Sequence, residues 1–251
     1  LVQIRNVEEA VDQATIHPYA INHFERSREM ITTALVQEDR VVKDFDRVRW
    51  TGYGELEIQQ GERESLTIET HPDLMPKIIS EVEHGKLELG RGGTWKDQLN
   101  FALETSLTRK PLYYRLTIRE LSALEIRGAG VILVQGISTE NFFLRANGPN
   151  RIHFESLTAD RLVVDLPVGG LVDMDGWVYE QKVSIKGPAL YRTPSLESDR
   201  ARIEISGPGE AVVNVRDELD VVIAGLGTVS YIGSPRIHRK ISGLGRISRV
   251  G

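Results

Sequence analysis

The chemistry that most needs weighing sits in the middle of the chain, at Asp173 and Asp175 in the run Asp173-Met174-Asp175-Gly176 and at Trp177 and Tyr179 just after it. Carboxylates two residues apart on a strand share a face, and with Asp165 and Glu180 nearby they could offer oxygens to calcium, an ion that takes many. The EF-hand spacing is absent, however, and Gly169-Gly170 lacks the nonapeptide repeat of calcium-binding β-rolls. The pair therefore reads as a solvated face or turn, and no metal is assigned. Trp177 and Tyr179 have the parity to share one outer face, where their rings could stack on a sugar. Asp173, Asp175, Trp177 and Tyr179 together form the candidate ligand face.

Other reactive residue types lack the partners that reactions need. The histidines at 17, 23, 71, 84, 153 and 238 form no His-x-His or His-x-x-x-His pair. Ser206 and Ser242 lie in Ser-Gly-x-Gly, which is not the Gly-x-Ser-x-Gly elbow of a nucleophile, and no spaced His and Asp accompany them. No helix pattern follows the Gly-x-Gly segments, so the helix N-terminus of a phosphate site is missing. A polysaccharide lyase or hydrolase would align two or three carboxylates and a base on one outer face, and Glu204 and Asp220 are outward candidates. With 36 acidic residues, some such alignment arises by chance. No catalytic residue and no cofactor is assigned.

These residues lie between glycine corners that recur through the C-terminal half. Ile205-Ser206-Gly207-Pro208-Gly209, Ile223-Ala224-Gly225-Leu226-Gly227 and Ile241-Ser242-Gly243-Leu244-Gly245 follow one another at 18 residues. Looser corners precede them at Gly187, Gly169-Gly170, Gly148 and Gly128, and the spacings from Gly128 to Gly243 are 20, 21, 18, 20, 18 and 18. A period of this length with short alternating runs marks a β-solenoid, because one coil cannot bury its apolar face until another lies on it. The runs Arg202-Ile203-Glu204-Ile205 and Leu219, Val221, Ile223 show the period of two of a half-buried strand. Seven corners predict about seven coils. Gly128, Gly187, Gly207, Gly225 and Gly243 are read as structural turns, with the positive φ that a sharp corner asks of glycine. The ends of such a stack are open sheet edges that must be capped or joined to something.

The composition, 251 residues with 40% apolar and 27% charged, suffices for one or two domains with a core. The net charge is −5 and no Lys/Arg run exceeds Arg239-Lys240. Nucleic acid is therefore not an expected partner, and an anionic membrane surface is disfavoured. The longest apolar run, Val131 to Val134, is too short to span a membrane. The absence of cysteine excludes disulfides, thiolate catalysis and Cys-type zinc sites. The chain opens on Leu1 rather than Met and contains no leader, which fits an exported protein whose leader has been removed.

Residues 1–40 have a different pattern. Asn6 with Glu9 reads as a capping box, Val7, Ala10, Val11 and Ala14 fall on one face, and Ile21, Phe24, Arg28, Ile31 and Leu35 continue helical spacing. This predicts a helical segment that either caps the first coil or serves as an arm docking on a neighbouring subunit. Residues 41–90 form an N-terminal β block, residues 91–111 an irregular connection with Gly92, Gly93 and Pro111, and residues 112–251 the coils of the solenoid.

Two stretches carry a family resemblance. The first is Asp44-Phe45-Asp46-Arg47-Val48 leading to Gly52-Tyr53-Gly54, then Leu56 to Gly61 and Ser65 to Glu69; the second is Leu219 to Gly227, Val229 to Pro235 and Ile241 to Gly245. Together they resemble the GIN-domain family of auto-transporter adhesin heads, over residues 41–251. The resemblance implies a right-handed β-helix-like fold, an extracytoplasmic setting in bacteria and no known enzymatic residues. The expected protein is thus all-β, a right-handed parallel β-helix-like solenoid behind a helical N-terminal segment. Its expected role is a non-enzymatic structural or adhesive module, secreted or at the cell surface. A homo-oligomer or filament built through residues 1–40, a glycan and a surface protein are the expected partners. The alternatives are a glycan-binding or glycan-cleaving β-helix protein and an envelope-associated accessory domain that binds protein.

Overall fold

The computed structural model describes residues 35–91 and 110–251, and over these the chain is nearly all β, a parallel solenoid of about six turns. The seven sequence corners predicted about seven coils, but seven corners enclose only six intervals. The strands are β1 (Val36–Arg40), β2 (Arg47–Gln60), β3 (Ser65–Thr70), β4 (Ile78–Glu83), β5 (Lys86–Arg91), β6 (Leu112–Ile118), β7 (Ala123–Gln135) and β8 (Ile137–Asn147). They continue with β9 (Arg151–Val168), β10 (Leu171–Ile185), β11 (Leu190–Ile205), β12 (Glu210–Ile223), β13 (Thr228–Ile232), β14 (Arg236–Ile241) and β15 (Arg246–Arg249).

From β7 onwards each coil lies parallel on the one before it, so inward residues of successive coils form columns. One column runs Leu56, Ile132, Ile152, Val172, Tyr191, Ala211, Val229, Ile247. Another runs Leu87, Val48, Leu124, Leu144, Val164, Val183, Ile203, Val221. All of these except Ile247 are buried. This is the period-two pattern of the sequence turned into a core: alternation points every second residue inward, and the repeat stacks those residues on their own kind. A polar group also enters the core. Gln181 Nε2 donates to Ser198 Oγ at 2.8 Å, and Tyr191 Oη donates to Gln181 Oε1 at 2.9 Å. Ser198 Oγ in turn donates to the Asn214 carbonyl at 3.0 Å, which satisfies the buried hydroxyl.

Of the five corner glycines, Gly128 and Gly243 have the expected positive φ, and the other three have a different physical reason. Gly187, Gly207 and Gly225 do not have positive φ. A Cβ on Gly225 would instead lie 2.9 Å from the Ser206 carbonyl oxygen and 3.0 Å from that of Gly207, and one on Gly187 would lie 2.7 Å from the Pro167 carbonyl oxygen. At Gly207 it would meet the Lys186 carbonyl oxygen, and at Gly128 that of Gly52, closer still. A Cβ on Gly243, which does have positive φ, would lie 2.5 Å from the Gly225 carbonyl oxygen. Coils stacked at strand spacing bring the backbones of successive corners together, so only a residue without a side chain fits. The second glycine of each corner answers a different neighbour. Cβ atoms on Gly209, Gly227 and Gly245 would strike the methyl groups of Ile185, Ile205 and Ile223, so the isoleucine opening one corner packs under the last glycine of the next.

The first turn does not follow chain order. β2 lies between β7 on one side and β5 and β6 on the other, so Gly52 and Gly54 stand in register with Gly128 and Gly130, 76 positions later in the chain. The segments read as a β block at 41–90 and coils at 112–251 thus join in one sheet. Arg49 ties three of its strands together, its Nη1 donating to Glu88 and its Nε to Glu125, each at 2.9 Å. This end of the stack is closed by antiparallel strands, β3 on β6, β1 on β3, and β4 on β5. Residues 36–40, assigned with the helical segment on their spacing, are strand β1: pairing with β3 overrides a weak helical pattern. The rest of that helical assignment, residues 1–34, lies outside the described residues, as does most of the irregular connection, 92–109.

Candidate functional site

The candidate face forms where β10 bends. Its register with β9 and β11 shifts just before Gly176, whose φ is 132° and whose Cβ would meet the Leu157 carbonyl oxygen, so the bend requires glycine. Asp173 and Asp175 precede the bend, and Trp177 and Tyr179 follow it. The structure thus separates the four residues into two pairs on adjoining segments of the coil.

Asp173 stands beside His153 of the preceding coil, Oδ2 to Nδ1 at 3.5 Å. The hydrogen bond that the imidazole donates to the Asp173 carboxylate raises its pKa above the ordinary value, burial opposes the shift, and the charges of Asp173, Asp175 and Glu155 add to it. The carboxylates therefore face an imidazole that they help to hold protonated. A sequence separation of 20 residues, one coil, marks this partner in advance.

After the bend Val178 is buried, and its neighbours Trp177 and Tyr179 point outward; Trp177 is half-buried and Tyr179 is 42% exposed. The Arg200 guanidinium of the next coil lies 5.8 Å from the Tyr179 ring centre, a cation–π contact that the residue types alone do not reveal. Arg200 itself belongs to a column of alternating charge, Arg161, Glu180, Arg200, Glu218, Arg236, each in register with the next. Arg161 and Glu180 are 3.5 Å apart, and Arg200 and Glu218 are 3.9 Å apart. Exposed pairs of this kind contribute about 0–1 kcal/mol each, so the column orders side chains more than it stabilises the fold.

The outward carboxylates singled out as catalytic candidates are engaged with neighbours of their own. Glu204 pairs with Arg202 at 2.6 Å. Asp220 joins Glu218 and His238 in a group whose ligand atoms lie within 4.8 Å of one another, the one such group of three among the described residues. His238 is 3.7 Å from Glu218, and Arg200 approaches the same carboxylate from the other side, so the group continues the charge column across coils. A single imidazole and two carboxylates on an open strand face are the groups that could meet a metal ion here.

Residues 44–235 match the family model described as "Putative auto-transporter adhesin, head GIN domain". Among solved structures the chain is similar to a putative adhesin from Bacteroides fragilis, 22% identical with a TM-score of 0.77, over 87% of this chain and 98% of that one. It is also similar to a putative adhesin from Parabacteroides distasonis, 18% identical with a TM-score of 0.62, over 87% and 98% of the two chains. A third likeness, 17% identical with a TM-score of 0.64 over 88% and 98%, is to a putative lipid binding protein from Parabacteroides distasonis. At these identities the likeness is one of fold. No curated protein matches.

Proposed function

This chain belongs to the head GIN domain family of putative auto-transporter adhesins, and we propose that it acts as a non-catalytic adhesive module displayed outside the cytoplasm. The family and two of the three structural neighbours above carry adhesin names, and no helix among the described residues is long and apolar enough to cross a membrane. The observation that carries a binding role is Tyr179, held open to solvent with Arg200 against its ring and Trp177 beside it. An exposed aromatic offers an apolar face to a sugar ring, and the guanidinium beside it offers donors to hydroxyl or carboxylate substituents. We assign the strip around Trp177, Tyr179 and Arg200 to contact with a glycan, and Asp173 and Asp175 with His153 to its polar margin.

A glycan array together with adhesion of coated beads to cells tests this. Trp177→Ala and Tyr179→Ala should each weaken glycan binding about tenfold with the fold intact, the scale of one lost ring contact. Adhesion that survives both substitutions rules the strip out, and adhesion without any glycan ligand moves the assignment to a surface protein. Assaying the same polysaccharides for new reducing ends tests the cleaving alternative, since a chain that only adheres releases none.

A further inference from the structure

The two ends of the solenoid carry opposite charge, and from this we infer that copies of the chain stack end to end, the last coil of one on the antiparallel cap of the next. This goes beyond the adhesive reading and does not depend on it. At one end the outermost strands among the described residues are β1 and β4, which pair there only with β3 and β5. They carry Glu38, Asp39, Glu81 and Glu83 against a single cation, Arg40. At the other end the outermost strands among the described residues are β14 and β15, which pair there only with β12 and β13. They carry Arg236, Arg239, Lys240, Arg246 and Arg249 and no carboxylate, and no acidic residue follows Asp220 in the sequence. Although the whole chain is net acidic, these two strands are net positive.

The edges also correspond in position. β15 ends the same strand stack that begins with β1, through β3, β6, β2 and β7, while β14 ends the stack that begins with β4 and β5. Laying one copy on another brings β15 over β1 and β14 over β4, basic strand to acidic strand on both faces. The alternating column Arg161, Glu180, Arg200, Glu218, Arg236 stops on an arginine, so its next member should be a carboxylate.

The core columns say why the contact would be selective. The column that holds Val183, Ile203 and Val221 continues into Arg239, and Val213 and Tyr231 continue into Arg249. At the opposite end Ile68 continues into Glu38 and Leu66 into Arg40, and the two side chains pair with each other at 2.6 Å. Charges in core columns keep a bare apolar end from joining any passing strand. Ile237 and Ile241, 37% and 38% exposed beside Arg239, supply apolar area for such a layer to cover. A contact between unlike ends is head to tail, so it repeats in an open row instead of closing as a dimer.

Sedimentation of the full chain at increasing concentration, in low salt and in about 0.5 M salt where charges are screened within a few ångströms, tests the inference. Mass should grow with concentration in low salt and fall back towards monomer in high salt. The double substitution Arg239→Glu with Lys240→Glu should abolish growth, and so should Glu81→Lys with Glu83→Lys. Mixing the two variants should restore it, because each then offers an end of the sign the other needs, and restoration also shows that both are folded. A monomer at all concentrations, growth that persists in either variant alone, or a mixture that stays monomeric would overturn the inference. So would wild-type chain that stays monomeric yet sediments with phosphatidylserine vesicles or an acidic polysaccharide, which would assign the basic end to that ligand.

Discussion

Gly207 and Gly136 separate two reasons for a glycine. Gly207 does not have positive φ, but its missing Cβ is where the Lys186 carbonyl oxygen lies; Gly136 has φ 64° and open space within 4 Å. Gly207→Ala should therefore destabilise by at least about 3 kcal/mol, because backbone must move against backbone. Gly136→Ala should cost only the strain of a left-handed alanine, about 1–2 kcal/mol. Urea unfolding of both variants decides the matter: equal costs would mean that corner glycines are selected for φ and not for close approach. The glycine positions are legible in the sequence, but their reason is not, since proximity to another coil is invisible in one dimension.

At the scale of paired strands, the His153–Asp173 contact between β9 and β10 makes stability depend on pH. The imidazole is raised in the folded state, so its contribution is fully present below the unfolded pKa, about 6.5, and is lost as pH rises through the folded value. Asp173→Asn removes the charge that the imidazolium faces. The gap in melting temperature between wild type and this variant should be widest near pH 5 to 6, where the imidazole is charged, and should shrink by pH 9. A gap that does not change with pH would show that Asp173 acts by packing alone. Repeat spacing makes this pairing legible, because residues one coil apart become neighbours. The Tyr179–Arg200 contact is less so, since it crosses from one register position to the next and depends on where β10 bends.

For the whole molecule, cooperativity should be graded along the stack. β10 and β11 have a neighbour on each side and buried inward residues, whereas all six residues of β14 are exposed and the strand pairs on one side. In dilute solution, amide hydrogens of β14 and β15 should exchange on the order of a thousandfold faster than those of β10, since a terminal coil opens without unfolding its neighbours. Uniform protection from β10 to β15 would contradict a graded stack. If copies stack as inferred, protection of β14 should rise with protein concentration while that of β10 stays constant.

The sequence by itself determined the repeat, the all-β class and the inward alternation, because in a solenoid the partner of a residue is its own counterpart one period later. The tertiary structure decided whatever departs from that period. It folded Val36–Arg40 as a strand, because β3 offers an edge, and it slipped β2 between β7 and the returning β5 and β6, which no period could announce. It also split the candidate face at Gly176 and gathered the late basic residues at one end, opposite the carboxylates of β1 and β4. Charge in a sequence is a total, and only the stacking of coils gives it two ends.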